Sequence, residues 1–281
     1  MGERRAARPP RSFLRNEADA RRDQRHAVVY MAAIHVVLGL AMMGVVSIWV
    51  VSPVLVVCYV RGALLTHELM HVRRPERVAW TVRMMMLFDT PLGLGYREYQ
   101  DIHLRHHRDP ATVTDPEFHQ IKGGRIRAFL AAMVASEVAV VRWVATRGIG
   151  PSLRAEACIR AFFMLTLAAL APAVFLRYWI ILRLTIGVSN YMFHHVLHYR
   201  NRRERANRGR DRLGHGEYGT FPLRLPWPLD AGLRVVLGSR LAPVLCDHDA
   251  HHAWPGVKAG RLPGLLSVYP SKDKSPEVPR C

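Results

Sequence analysis

Histidines in four short clusters are the residues of this sequence best suited to chemistry. Eleven of the fifteen histidines lie in these clusters, which read HELMH at 67–71, HLRHH at 103–107, HHVLH at 194–198 and HDAHH at 248–252. At this histidine content, about 0.04 copies of the pattern HxxHH are expected by chance, and the chain contains two. The clusters are therefore not an accident of composition.

The spacing within the clusters predicts that several imidazoles face one point. On a helix, positions i, i+3 and i+4 share a face, so each HxxHH presents three rings together, and His67 and His71 add two more. Neutral imidazole is a ligand for iron, copper or zinc. Because eight such ligands exceed the needs of one ion, the sequence predicts a site for two metal ions. The isolated histidines are interpreted as ordinary structural residues: His26, His35, His119 and His215.

The first cluster also fits a different class of enzyme. HELMH matches HExxH, in which zinc proteases use two histidine ligands and a glutamate general base. Such a protease needs one further ligand, for which the nearest candidate is Asp230 in PLDAG. This alternative leaves both HxxHH clusters unused, so it is the less favoured one. A histidine-rich metal carrier and a haem-binding membrane protein are less favoured for the same reason.

Composition predicts a protein of the membrane. The chain has 281 residues, of which 50% are hydrophobic and 22% charged, and 40 Lys+Arg against 22 Asp+Glu give a net charge of +18. High apolarity combined with high charge predicts apolar spans in lipid and basic faces in water, and it excludes a disordered chain. Four cysteines without a close pair exclude a disulfide scaffold, a zinc ribbon and an iron–sulfur domain, so any electrons must come from elsewhere.

Apolar runs predict the helices that position the clusters. No charged residue occurs from Ala27 to Val60, and a helix of that length would reach roughly 50 Å, more than a hydrocarbon core of about 30 Å. We therefore expect two spans with a turn near Ser47–Pro53, and a second hairpin in the block around Pro172. The expected spans are 28–47, 49–69, 157–173 and 175–194. Two amphipathic stretches, 78–96 and 128–146, are expected to lie on the membrane surface.

Basic residues predict the orientation. Arginine-rich stretches occupy 1–26, 73–77 and 200–212, whereas the expected turns carry almost no charge. By the positive-inside rule, both termini and the histidine clusters face the cytoplasm. The predicted fold class is an all-α integral membrane protein with about four transmembrane helices and a cytosolic helical cap that holds the histidine clusters. The basic residues suit membrane lipids rather than nucleic acid. The predicted organisation is a basic cytosolic segment at 1–26, a membrane domain at 27–270 and a tail at 271–281.

The histidine clusters resemble those of the membrane fatty-acid desaturase and hydroxylase superfamily, which includes acyl desaturases, alkane hydroxylases and carotenoid ketolases. HxxxH near the end of a second span is followed by HxxHH and again by HxxHH. HHAWPGVKAGRLPGL at 251–265 is similar to the run that follows the last cluster in acyl desaturases. DPEF at 115–118 resembles a stretch in carotenoid ketolases and some desaturases, and NYMFH at 190–194 fits an Asn-x-x-x-His element. The resemblance covers roughly residues 30–270.

This resemblance implies a non-haem diiron site that activates O₂ and is held almost wholly by histidine. The implied ligands are His67, His71, His103, His106, His107, His194, His248, His251 and His252. Asn190 is implied as a nearby, water-mediated contact. Glu68 and Asp247, with Asp249 and Asp115, are expected to orient imidazole N–H groups.

The resemblance also implies the reaction class and the partners. An apolar acyl or alkyl substrate enters from the bilayer, and two electrons come from a ferredoxin or a cytochrome with its reductase. The basic stretch Arg200–Arg212 is expected to attract such a donor or an acyl-carrier protein. Desaturation of a lipid- or carrier-bound fatty acyl chain is the favoured reaction. Hydroxylation or ketolation of an alkyl, carotenoid or specialised-metabolite substrate stays open.

The cluster at 194–198 offers three histidines where the resemblance requires one. Asn190, His194 and His198 are spaced i, i+4, i+8 and share one helical face, whereas His195 points about 100° away. We therefore expect His194 to bind metal. His198 is expected one turn, roughly 5 Å, nearer to water.

Overall fold

The computed structural model describes residues 14–72, 74–87, 92–108, 110–112, 114–199, 223 and 225–246. Within this part of the chain the regular elements are helical, and β pairing is limited to an isolated parallel bridge between Arg15 and Val72. The α-helices, numbered in chain order, are α1 (Glu17–Met42), α2 (Ile48–Met70), α3 (Ala79–Met86), α4 (Tyr96–Arg108), α5 (Phe118–Ile121), α6 (Arg125–Met133), α7 (Ala135–Arg147), α8 (Pro151–Leu170), α9 (Pro172–Asn190) and α10 (Leu229–Cys246). A 3-10 turn covers Pro75–Arg77, and a π-helix at Tyr191–Val196 continues α9.

Three of the described helices are long and apolar enough to cross a membrane: α1, α2 and α9 with its π-helical extension. The pair formed by α6 and α7, which meet at a bend of 72°, is a fourth candidate if the pair is a single broken span. The prediction of an all-α membrane protein is therefore confirmed, with three to four candidate spans.

The first hairpin differs from the prediction in its boundaries. α1 begins at Glu17, eleven residues before the expected start at 28, because the Asn16 side chain caps it by accepting a hydrogen bond from the Asp19 backbone N–H at 2.8 Å. The turn comes earlier than Ser47–Pro53, between α1 and α2, where Gly44 adopts φ +73°. Pro53 lies inside α2, so proline did not mark the turn.

The second hairpin turns at Ala171, next to Pro172, where the sequence predicts a turn. The expected span 157–173 overlaps α8 from residue 157 to its end at Leu170. Unlike α9, α8 is not among the helices that are long and apolar enough to cross a membrane. The first half of α8 carries three charged residues, Arg154, Glu156 and Arg160. Of these, buried Arg160 donates to the carbonyl oxygens of Gly93 and Leu94. These contacts attach α8 to the segment that precedes α4.

The stretch 128–146, expected to form one surface helix, forms parts of α6 and α7 on either side of the bend. Arg183 of α9 explains how charge is accommodated there, because it donates to the Met133 carbonyl oxygen and pairs with Glu137. Gly187 lets α6 approach α9 closely, since a Cβ atom at this position would lie 2.4 Å from Met133 Sδ. The bend is thus held from α9 by one ion pair and one close contact.

Two apolar clusters fill the spaces between these helices. One joins α1, α2 and α9 through buried residues such as Ile34, Leu55 and Leu182. The other, which includes Leu65 of α2 and Leu241 of α10, packs against the end of α2 where the first histidine cluster lies. The histidines therefore project from helix ends that a packed core holds in place.

Candidate metal centre

Four histidines from α2 and α4 form a first group of possible ligands. His67 and His71 lie at the end of α2, and His103 and His107 lie on one face of α4. One nitrogen from each ring lies within 4.8 Å of the nitrogens from the other three, and all four side chains are buried. His103 Nε2 is 3.0 Å from His71 Nε2 and 3.1 Å from His107 Nε2. Imidazole nitrogens bound to one ion at about 2.0–2.1 Å have a similar mutual spacing, so this group fits a metal ion.

Backbone contacts fix the end of α2 that carries this first group. Gln100 of α4 donates its side-chain amide to the Met70 carbonyl oxygen at 2.9 Å. The Arg15 backbone N–H donates to the His71 carbonyl oxygen, also at 2.9 Å. Carbonyl groups at a helix end lack partners within the helix, so these two donors satisfy groups that would otherwise be costly to bury.

A chain of charges leads from α10 to the first group. Glu68 is buried, with Oε1 3.3 Å from His67 Nδ1 and Oε2 3.2 Å from Arg15 Nε. Arg15 also pairs with buried Asp23 at 2.7 Å, and Asp23 pairs with Arg240 of α10. Glu68 therefore lies where a carboxylate can orient the His67 ring.

A second group combines two histidines with a carboxylate. His106 of α4, His194 of the π-helix and Glu117, just before α5, place their ligand atoms within 4.8 Å of one another. Glu117 Oε2 lies 3.6 Å from His106 Nδ1 and 3.7 Å from His194 Nδ1. Among the described residues, Glu117 Oε2 and His194 Nδ1 have no hydrogen-bond partner. Buried polar atoms without partners are costly, and a cation between them removes the cost, so this donor set also fits a metal ion.

Sequence reasoning missed Glu117 as a possible ligand. In the sequence, the DPEF stretch that contains Glu117 is only a point of resemblance, and the ligands that the resemblance implies are histidines alone. A single carboxylate between two clusters shows no periodic spacing. The turn between α4 and α5 brings Glu117 to the histidines, and that turn is not predictable from helical periodicity.

Asp115 holds His106 in place. Its Oδ2 atom lies 2.8 Å from His106 Nδ1, and its oxygens accept backbone N–H groups from Ala111 and Glu117 at 2.8 Å. Burial lowers the pKa of His106, but Asp115 and Glu117 outweigh burial and raise the pKa to about 9. Burial raises the pKa of Glu117 to about 7, against the opposing effect of His106. Asp115 thus orients His106 and favours positive charge at this point, whether from a proton or from a metal ion.

The polar residues of the π-helix and of its two flanks lie on two different faces. His194 and His198 face α4, with ring centroids 5.4 Å and 5.0 Å from the ring of His106. His198 is 1% exposed, so it lies deeper than its expected position nearer to water. Asn190 donates to the Ala132 carbonyl oxygen at 3.4 Å. Asn190 also lines the cavity next to the site.

His195 lies on the other face and belongs to neither ligand group. Its Nδ1 atom is 2.8 Å from the Ile121 carbonyl oxygen, and its ring stacks between Tyr191 and Tyr199. These contacts give His195 a packing role between the π-helix and α5.

One cavity of ≈ 170 Å³ reaches both groups. His67 and His103 of the first group line it, as do His106, Glu117 and His194 of the second. Apolar side chains form much of the remaining wall, including Met85, Met86, Leu94, Ile102 and Phe193. Two possible metal sites therefore open onto one space that suits an apolar chain.

Several expected site residues lie outside the described residues, namely Asp247, Asp249, His248, His251 and His252. The basic stretch Arg200–Arg212 also lies outside them.

The family model for fatty acid desaturase matches residues 46–270, which is more than half of the chain. The chain belongs to the fatty acid desaturase family. Searches of curated proteins and of solved structures returned no match. The matched region of this desaturase-family protein contains all four histidine clusters and both ligand groups.

Proposed function

We propose that this desaturase-family protein is a membrane-bound, O₂-dependent diiron oxidoreductase that desaturates a lipid- or carrier-bound fatty acyl chain. The observation that carries the proposal is the pair of buried ligand groups opening onto one largely apolar cavity. A single ion cannot use both groups, whereas a diiron centre can. The alternative of a one-zinc protease has no use for the second group.

In this proposal the two groups divide the ligands between two irons. One iron is held by His67, His71, His103 and His107, and the other by His106, Glu117 and His194. His248, His251 and His252 of the last cluster complete the set. When bound, the irons use O₂ and two electrons to break C–H bonds that lack an activating neighbour.

The chain's own residues then orient the ligands and the substrate. Asp115 and Glu68 hold the rings of His106 and His67, and Asn190 places a polar group at the cavity wall beside His194. The apolar wall holds methylene groups and excludes water, so the oxidant meets the chain rather than solvent.

Partners and orientation are part of the same proposal. Electrons come from a separate ferredoxin or a cytochrome with its reductase. The basic stretch Arg200–Arg212 attracts this donor or an acyl-carrier protein. Both termini and the metal centre face the cytoplasm, where such soluble donors are found.

Metal analysis together with product analysis tests the proposed function. Protein purified from a host that lacks the activity should contain about two iron atoms per chain, because the two groups cannot share one ion. Mass spectrometry of the host lipids should show products that have lost two hydrogens. A product that has gained one oxygen indicates hydroxylation instead. Full activity with one zinc per chain contradicts the diiron centre.

A further inference from the structure

The short helix α5 contributes two polar side chains to the cavity that neither ligand group uses. His119 is 8% exposed and Gln120 is 3% exposed, and both line the cavity. The isolated position of His119 in the sequence predicts a structural histidine, but its place at the cavity wall requires a different explanation.

Each of these side chains has an unsatisfied atom. His119 Nε2 and Gln120 Oε1 have no hydrogen-bond partner among the described residues. Leaving a buried donor or acceptor unpaired is unfavourable, and buried polar atoms in folded proteins are nearly always paired. A ligand that enters the cavity can supply the missing partners.

Arg142 and Pro116 both contact the second ring nitrogen of His119. Arg142 Nη1 lies 3.3 Å from both His119 Nδ1 and the Pro116 carbonyl oxygen. His119 Nδ1 also lies 3.3 Å from the same Pro116 carbonyl oxygen. In the tautomer in which Arg142 donates both to Pro116 and to Nδ1, Nδ1 accepts and the neutral ring carries its hydrogen on Nε2. The wall then offers one donor, at His119, and one acceptor, at Gln120.

We infer that His119 and Gln120 bind a hydroxyl group on the substrate, which makes the substrate a hydroxyl-bearing acyl or alkyl chain. This inference rests on the proposed function and narrows its substrate class. A hydroxyl both donates and accepts, so it matches the two unpaired atoms. A ketone or a carboxylate has no hydrogen to give to Gln120 Oε1, and a plain hydrocarbon pairs with neither atom. Ser136 and Ser189, which also line the cavity, add to its polar surface.

Three probes of equal chain length test the inference on the iron-loaded protein: decanol, its methyl ether and decane. The ether keeps the acceptor oxygen of decanol but lacks its hydrogen. Native mass spectrometry with the probes in competition should show decanol bound about tenfold tighter than the ether, which corresponds to about 1.4 kcal/mol. Gln120→Met should remove this difference, because methionine has a similar length and no acceptor oxygen.

Variants of His119 test the donor. His119→Leu should weaken the binding of decanol and of the ether by about tenfold relative to decane. His119→Gln should restore the binding, because the glutamine amide places an N–H close to the position of Nε2. His26→Leu, at an exposed histidine of α1, is the matched control and should change nothing.

Iron content and O₂-dependent oxidation of a fatty acyl chain are measured on the same preparations, so the two proposals can fail separately. Equal binding of decanol and its ether by an active, iron-containing protein overturns the inference and leaves the proposed function intact. The inference is also overturned if His119→Leu leaves the binding of decanol relative to decane unchanged and Gln120→Met leaves the preference for decanol over the ether unchanged. A hydroxyl preference in a protein without iron or turnover contradicts the proposed function alone.

Discussion

Asp115 is a residue whose effect on the metal centre can be separated from its effect on the fold. It is buried, and its 2.8 Å contact fixes which nitrogen of His106 is left to face a metal ion. Carboxylates that orient a ligating histidine typically contribute about 10–100-fold to metal affinity. Asp115→Asn keeps the size of the side chain and removes its charge.

We expect Asp115→Asn to lose iron from the second group faster than the unmodified protein under competition with a chelator. Asp101→Asn is the matched control, since Asp101 lies on α4 but pairs with Arg105 and Arg147. Iron retained at increasing chelator concentration is the measurement. Equal retention by both variants means that Asp115 does not act on the metal.

His194 and His195 are adjacent, yet the structure gives them different surroundings. His194→Ala should lose iron and all turnover, because it removes a ligand atom from the second group. His195→Ala should keep both irons, because His195 contacts the Ile121 carbonyl oxygen and two tyrosines instead. Iron content and O₂-dependent product are compared between the two. Loss of metal only in His195→Ala would show that the faces of this helix are assigned the wrong way round.

Two further variants belong to the same helical face. Asn190→Ala should impair turnover while most of the iron is retained, because Asn190 lines the cavity without belonging to a ligand group. His198→Ala should have a partial effect on both quantities, since its ring lies 5.0 Å from that of His106.

How far the site could be predicted depends on the kind of signal each residue leaves in the sequence. His67, His71, His103 and His107 repeat at helical spacing, so periodicity places each pair on one face. Glu117 has no neighbouring ligand at helical spacing. Its approach to His194 depends on the turn between α4 and α5 and on the position of the π-helix that continues α9. Such proximity is a property of the tertiary fold and has no local pattern.

At the scale of elements, the packing of α6 against α9 is a contact that one added atom disturbs. Gly187→Ala places a Cβ atom 2.4 Å from Met133 Sδ and 2.9 Å from Met133 Cγ. We expect a lower midpoint of thermal unfolding in detergent, with a loss of about 1–3 kcal/mol of stability. Gly39→Ala in α1 is the control, because a Cβ there meets nothing within 4 Å. The control should unfold at the same temperature or higher. A similar drop in both variants would mean that the close approach does not matter.

The helices themselves were largely predictable, whereas their bends and charged halves were not. Apolar runs predict α1, α2 and α9, because a membrane span must be apolar over most of its length. Glu137 and Arg183 each argue against a buried helix when considered singly. Because the two side chains pair with each other between α7 and α9, each charge has a partner of opposite sign. A partner 46 residues away cannot be recognised from either stretch alone.

At the scale of the whole molecule, the position of the metal centre constrains the topology. Residues from the end of α2, from α4 and from the end of α9 meet there, so we expect these three points to lie at one side of the membrane. α9 and its π-helix contain 25 residues and extend about 37 Å, enough to place Pro172 at the opposite side. We therefore expect the chain between α4 and α9 to cross the membrane once. Of its described helices, α6 and α7 together form a candidate span, whereas α8 packs along α9 and is not a candidate.

Labelling of single cysteines tests this topology. In a variant without its native cysteines, Ala173→Cys should react with a membrane-impermeant maleimide on intact cells. Ala18→Cys and Gly124→Cys should react only after the membrane is opened, because the proposed orientation places them on the cytoplasmic side. All three positions are exposed in the structure. Labelling of Ala173→Cys and Gly124→Cys from the same side would rule out the crossing.

The π-helix at Tyr191–Val196 has a consequence for comparing this protein with others. A π-helical turn is what one inserted residue leaves in an otherwise regular α-helix. Deleting a residue such as Met192 should restore the regular helix and leave the segment beyond it facing as before, because the wide turn absorbs the extra residue. His194 and His198 would then still face α4, and His195 would stay on the other side. An alignment of this helix with an uninterrupted one must therefore open a one-residue gap between 191 and 196 before its histidines are matched.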